Sequence, residues 1–148
     1  MAGCRTIDAL RWAHEFHKSL SEYYENLSHE VHNKEAQRLL SFLGRHETFL
    51  NHCVEEYEQG GSADLLETWF KVTPEFPTME SLAEIVVSPD ITAPEIIDLM
   101  IQMDALLFRL YEQLAREAIS PRLREALDNL LALEKREEIR AISSARPM

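Results

Sequence analysis

Glu22-Tyr23-Tyr24-Glu25-Asn26-Leu27, early in the chain, and Arg109-Leu110-Tyr111-Glu112-Gln113-Leu114, late in it, decide the fold. The two stretches overlay position by position, and the offset that sets Tyr24 on Tyr111 also sets Glu47 on Glu134 and His17 on Asp104. A helix-turn-helix unit is therefore present twice. One helical hairpin cannot bury its apolar face alone, so two copies packed about a pseudo-twofold axis predict a four-helix bundle whose repeated polar residues meet near that axis.

The flanking sequence extends each stretch into a helix. Leu10, Ala13, Leu20, Tyr24 and Leu27 follow a three-then-four spacing, with His17 on the same stripe, and predict a first helix from about Thr6 to about Glu30. Ala36, Leu40, Leu43, Leu50, Val54 and Tyr57 share one stripe with Glu47, and Gly60-Gly61 ends that second helix. The short join near His32-Asn33 makes the two antiparallel neighbours. Thr92-Ala93-Pro94-Glu95 opens a third helix, with Thr92 as cap, Pro94 at an early position and Glu95 three residues after the cap. Its stripe is Ile97, Met100, Leu107, Tyr111 and Leu114, interrupted by Asp104. Ser120-Pro121 caps the last helix, whose stripe reads Leu123, Leu127, Leu130, Glu134, Glu137, Ala141, and Ser143 to Met148 is expected to fray.

Between the hairpins, Pro74, Pro77 and Pro89 divide the chain into short pieces, with helical turns expected around Leu65-Trp69 and Met79-Val86. The reading is all-α: a single domain over residues 1–148, with hairpin 6–59, crossover 60–92 and hairpin 93–143. Trp69, Phe70 and Phe76 are expected to pin the crossover to the bundle rather than form a partner site.

Composition narrows the function. The 26 acidic against 15 basic residues give a formal charge of −11, which argues against nucleic acid and anionic membrane as partners. The first residues lack the basic segment and apolar run of a secretory leader, and no stretch reaches the ~20 apolar residues of a membrane span, so the expected compartment is the cytoplasm. Cys4 and Cys53 form no close-spaced motif and are expected as free thiols. No phosphate loop or Ser/His/Asp order is present.

The chemistry lies in one layer. Each stripe is apolar except at a single level, where His17, Glu47, Asp104, Glu134 and Glu137 point inward. Burying four carboxylates and an imidazole costs several kcal/mol per charge, and like charges repel further. No Lys or Arg lies on the stripes at that level, leaving shared protons, entering water or a bound cation to neutralise them.

This layout resembles ferritin-like proteins, closest to rubrerythrins: inward acids on four helices, Tyr seven residues after the ligand on the first and third, and paired ligand positions at spacing three on the second and fourth. The resemblance implies two irons or manganeses held by carboxylates and a His apiece, with Glu-x-x-His on the second and fourth helices. Here His17 stands where a Glu is expected and Asp104 replaces another; Glu47 is followed by Leu50 and Glu134 by Glu137 where His is expected. By the resemblance, one metal position would retain His17, with Glu47 and Glu134 as bridges. The other would have Asp104, Glu137 and the same bridges, an oxygen-rich set suited to a hard ion such as Mn, Mg, Ca or Fe rather than Zn or Cu.

Two functions follow as expectations. One is a metal-free or weakly metal-binding bundle acting as an interaction or structural protein, as a homodimer or with an unidentified protein partner. The other is an Mn/Fe-binding oxidoreductase or peroxide-handling protein. The six histidines, all within the first 52 positions, do not build a separate metal centre, because a hemerythrin-like set needs His in later helices. His29 and His32 are expected at a helix end, and His46 and His52 at the surface or its boundary. Phe16, Phe42, Phe49 and Phe108 exceed what one core accommodates, which favours self-association.

Overall fold

The computed structural model describes residues 4–61, 63–70 and 85–145. The helices among them are α1 (Thr6–Ser28), α2 (Lys34–Gly60), α3 (Ala63–Leu66), α4 (Ala93–Glu117) and α5 (Pro121–Ala145). The four long ones form two hairpins, α1 with α2 and α4 with α5, which dock through α2 against α4 and α5.

Each long helix starts where its sequence supplies an acceptor for the orphan amides of the first turn. Asp8 accepts the Arg5 backbone N–H at 3.1 Å, and Asn33 Oδ1 accepts from Glu35 and Ala36 at 2.8 and 3.2 Å. Thr92 and Glu95 make a reciprocal capping box, and Ser120 Oγ accepts from Leu123 at 3.1 Å. Replacing Thr92 with Ala should cost about 1 kcal/mol in chemical denaturation, with no change in secondary structure. An unchanged midpoint would mean that Pro94 alone sets the start of α4.

Two apolar clusters fill the interior. The larger joins α1, α2, α4 and α5 through residues such as Leu20, Leu40, Leu43, Ile96 and Leu107. The smaller gathers Cys4, Ala9, Phe70, Leu110, Leu114, Leu123 and Leu127 at the end where α1 and α5 begin and α4 finishes. Cys4 and Cys53 are free thiols. No helix among the described residues is long and apolar enough to cross a membrane.

The crossover is tied down at both described ends. The Thr6 and Phe70 amides donate to the Thr68 and Cys4 carbonyls at 2.9 and 2.7 Å, and the Arg5 guanidinium lies over the Trp69 ring. Phe70 is buried as the expected pin, whereas Trp69 is half exposed beneath Arg5. At the far end His32 N–H donates to the Pro89 carbonyl at 2.8 Å, fastening the crossover to the α1–α2 turn. The helical turn expected at Leu65-Trp69 is α3, one residue pair earlier; most of the Met79-Val86 turn, and Phe76, lie outside the described residues. Ile85 and Val86 are not helical.

Helix α5 runs on to Ala145, past the expected fray point at Ser143. Ile142 and Ala145 pack against the large core cluster, and that burial holds the last turn where propensity alone would release it.

Gly44 permits the close approach of α1 and α2. A Cβ there would stand 3.3 Å from the Ser21 carbonyl oxygen, and Ser21 Oγ donates to the Gly44 carbonyl at 2.8 Å. The Ser21 oxygen that the Cβ would meet is backbone, so it cannot swing aside as a flexible side chain would. Gly44→Val should cost about 2 kcal/mol or more through overpacking, read as a lowered denaturation midpoint. Retention of full stability would mean that the two helices have room to separate.

Candidate metal centre

All five residues singled out from the sequence are buried at one level of the bundle: His17 on α1, Glu47 on α2, Asp104 on α4, Glu134 and Glu137 on α5. They fall into three groups.

The first is a clamp. His17 Nδ1 lies 2.9 Å from Glu47 Oε1, and Nε2 lies 2.9 Å from Glu134 Oε1 and 3.1 Å from Oε2. The ring is 1% exposed, so it joins the hairpins across the middle of the interior. Burial works against a charged ring here, yet Glu134 and Glu47 outweigh it and raise the His17 pKa well above its usual 6.5.

The second is a carboxyl pair. Asp104 is paired with Glu138, a residue absent from the sequence-derived set, whose carboxylate acts on it electrostatically. Burial, then the charges of Glu47 and Glu138, push the Asp104 pKa well above its usual 3.8, which favours its protonated form. Glu138 follows Glu134 by four residues and Glu137 by one. On a helix both the third and the fourth residue after an inward position share its face, and that spacing is the signal that could have found it.

The third group faces outward. Glu137 Oε2 is held by Arg140 Nη1 at 3.2 Å, and Oε1 lies 3.6 Å from His46 Nε2. The Arg140 side chain is largely exposed and meets the buried Glu137 carboxylate at the surface, so a cation was available off the apolar stripe. His46 lies at the boundary, as expected, and stacks between Phe42 and Phe49 with ring centroids 6.0 and 6.2 Å away.

Two tyrosines close the layer. Tyr24 and Tyr111 are fully buried, and neither hydroxyl has a well-formed hydrogen bond. Burial first, then the neighbouring charges, raise both well above 10: Glu47 and Asp104 act on Tyr24, Glu134 on Tyr111. Both stay neutral phenols at physiological pH.

A dinuclear centre does not fit this arrangement. Leu50 is buried and has no donor atom, Glu137 is engaged by Arg140, and both nitrogens of His17 are taken up by carboxylates. Among the described residues no group of three or more His, Cys, Asp or Glu side chains is arranged to hold a metal ion.

The comparison with solved structures finds a proposed ferritin-like diiron-carboxylate protein from Thermotoga maritima, with a TM-score of 0.61 and 16% identity over 99% of this chain and 97% of that one. The chain thus has the ferritin-like fold. No protein-family profile matches it, and no curated protein is significantly similar.

Proposed function

We propose that this chain is a ferritin-like bundle of rubrerythrin-like layout whose metal centre is degenerate, and that it serves as an interaction or structural protein. The observation that carries the reading is the fate of the paired ligand positions. One is Leu50, and the other, Glu137, is committed to Arg140. Each half of the bundle has therefore lost the second ligand that its inward Glu would work with. Half-exposed Phe49 on α2 and exposed Ile139 on α5 supply apolar surface on the two helices that pack together between hairpins, consistent with a homodimer or a protein partner.

The competing reading, an Mn/Fe-binding oxidoreductase or peroxide-handling protein, draws support from the neighbour's description and from two buried tyrosine hydroxyls beside the acid layer.

Elemental analysis separates the two, on protein made in Mn- and Fe-supplemented medium without affinity tag or chelator. The expected result is far less than one ion per chain and no thermal shift on adding Mn or Fe. A tightly bound ion would stabilise by about 2.7 kcal/mol at a free concentration a hundred times its Kd. Stoichiometric metal, or such a shift, would overturn the proposal and make oxygen and peroxide reactivity the next assay. Sedimentation of the same sample tests the dimer.

A further inference from the structure

We infer that the outer face of the α4–α5 hairpin binds a second copy of this chain, through an apolar stripe centred on Ile101 and Ile139 with opposite charges at its two ends. The inference rests on the interaction reading above and names the surface and the partner.

Contacts fix both ends of the stripe. Ile97 and Ile142 line one recess where α4 starts and α5 finishes. At the other end Lys135 on α5 lies 5.9 Å from the Phe108 ring centroid and 3.4 Å from Glu112 on α4. Ile101 follows Ile97 by one helical turn and Ile139 follows Lys135 by one, so both fall on the face between those ends. They are 40% and 63% exposed. A hairpin of this bundle packs without such a stripe. The register that sets Tyr24 on Tyr111 sets His14 on Ile101, Ser21 on Phe108, His52 on Ile139 and Glu55 on Ile142, so α1–α2 carries polar side chains where α4–α5 carries apolar ones. The apolar residues of α4–α5 are therefore not a requirement of the fold, and their grouping on one exposed face marks a surface that another molecule covers.

Charge selects a second copy as the cover. Asp98 and Arg109 on α4 are both exposed and stand three turns apart, about 16 Å, on one edge of the stripe, with half-buried Ala105 between them. At the Phe108 end Lys135 answers Glu112, which leaves Arg109 for a partner. A twofold axis near Ala105 runs the two α4 helices antiparallel and sets each copy's Asp98 against the other's Arg109, with Ile101 and Phe108 enclosed between the two pairs. The small Ala105 side chain lets the helices approach at the axis. In a chain of charge −11, an apolar face whose ends alternate in sign lets two copies meet without opposing like charges. The strip of Phe42, His46 and Phe49 on α2 lacks that property: Arg38 and Arg45 flank it on α2 and Arg140 on α5, so a twofold there opposes arginine to arginine.

The experiment is sedimentation equilibrium of the full chain, from about 1 to about 100 μM. The parent should approach twice its 17.1 kDa mass. Ile101→Glu/Ile139→Glu, at exposed positions, should be monomeric over the same range with unchanged helical circular dichroism. Asp98→Arg alone should raise the dimer Kd by about tenfold or more, because the twofold turns both ion pairs into repulsions, and Asp98→Arg/Arg109→Asp should return it to within about threefold of the parent. A monomeric parent, or a dimer that persists in Ile101→Glu/Ile139→Glu, would overturn the inference. So would a reversed pair that associates no better than Asp98→Arg; where the isoleucine variant does not fold, that charge reversal decides. A metal-free monomer brings down this inference alone, whereas a dimer carrying stoichiometric Mn or Fe brings down the functional reading and leaves the surface standing.

Discussion

His17→Leu should lose about 3–5 kcal/mol of stability, while the triple variant His17→Leu/Glu47→Met/Glu134→Met should match the parent or exceed it by about 1–4 kcal/mol. The single change leaves Glu47 and Glu134 buried at 3 to 4% exposure or less with no cation between them. Two stranded charges in a dry interior cost far more than the clamp contributes, because the clamp itself was assembled against a desolvation penalty. The triple change removes that penalty together with the attraction, and side chains of similar volume keep the packing. No new orphan is created: the Tyr24 and Tyr111 hydroxyls already lack a hydrogen-bond partner. Asp104 gains as well, since the charges of Glu47 and Glu134 bear on it in the parent. Urea denaturation at neutral pH gives the answer. If the triple variant loses as much as His17→Leu, the clamp is a net stabiliser and its retention needs no functional explanation.

The same pair of variants shows how far sequence reasoning reaches into this molecule. Periodicity and capping residues placed all four long helices, because apolar stripes and cap acceptors are local signals that burial reinforces. The repeat read from the sequence sets His17, Glu47, Asp104 and Glu134 inward, and all four are buried. What the pattern could not carry was side-chain direction within a turn. Glu137 and Glu138 are equally placed to face inward from Glu134, and only the positions of Arg140 and Asp104 decide that Glu137 goes to the rim and Glu138 to the acid pair. Arg140 escaped notice for a related reason: a long side chain delivers its charge several ångströms from its own Cα, so a search restricted to the stripe misses it. His46 lies at the boundary, as expected, and what the sequence could not show is its stacking with Phe42 and Phe49 and its approach to Glu137 on α5, a neighbour far away in sequence. A lone His on a helix carries no local sign of that.

Two buried groups with raised pKa values, His17 and Asp104, set the second large prediction. His17 and Asp104 both hold protons in the folded state at pH values where the unfolded chain releases them. Stability must then fall as pH rises, because the native state binds more protons. For His17 the folded pKa is raised, so its contribution is complete below about 6.5 and is lost as pH climbs through the elevated folded value. For Asp104, also raised, the cost begins at about 3.8 and grows until its own folded value is passed. The familiar acid limb comes from carboxylates with depressed values. Asp8 and Glu95 are of that kind, acting below 3.8 and 4.5 respectively, but both sit at the surface and their limb is shallow. Melting temperature should therefore peak on the acidic side, at about pH 4 to 4.5, where Asp8 and Glu95 are ionised and the Asp104 cost has only begun, and decline steadily towards pH 9. General repulsion in a chain of charge −11 also worsens with pH, and about 0.5 M salt suppresses that part while leaving the buried groups nearly unscreened. Under those conditions the His17→Leu/Glu47→Met/Glu134→Met variant should lose the decline above pH 6.5. Asp104→Asn, which has no titrating proton to lose, should lose the part that begins near pH 3.8. A parent whose melting temperature is level or rising from pH 6.5 to 9 in high salt would show that the centre is not held together by protons.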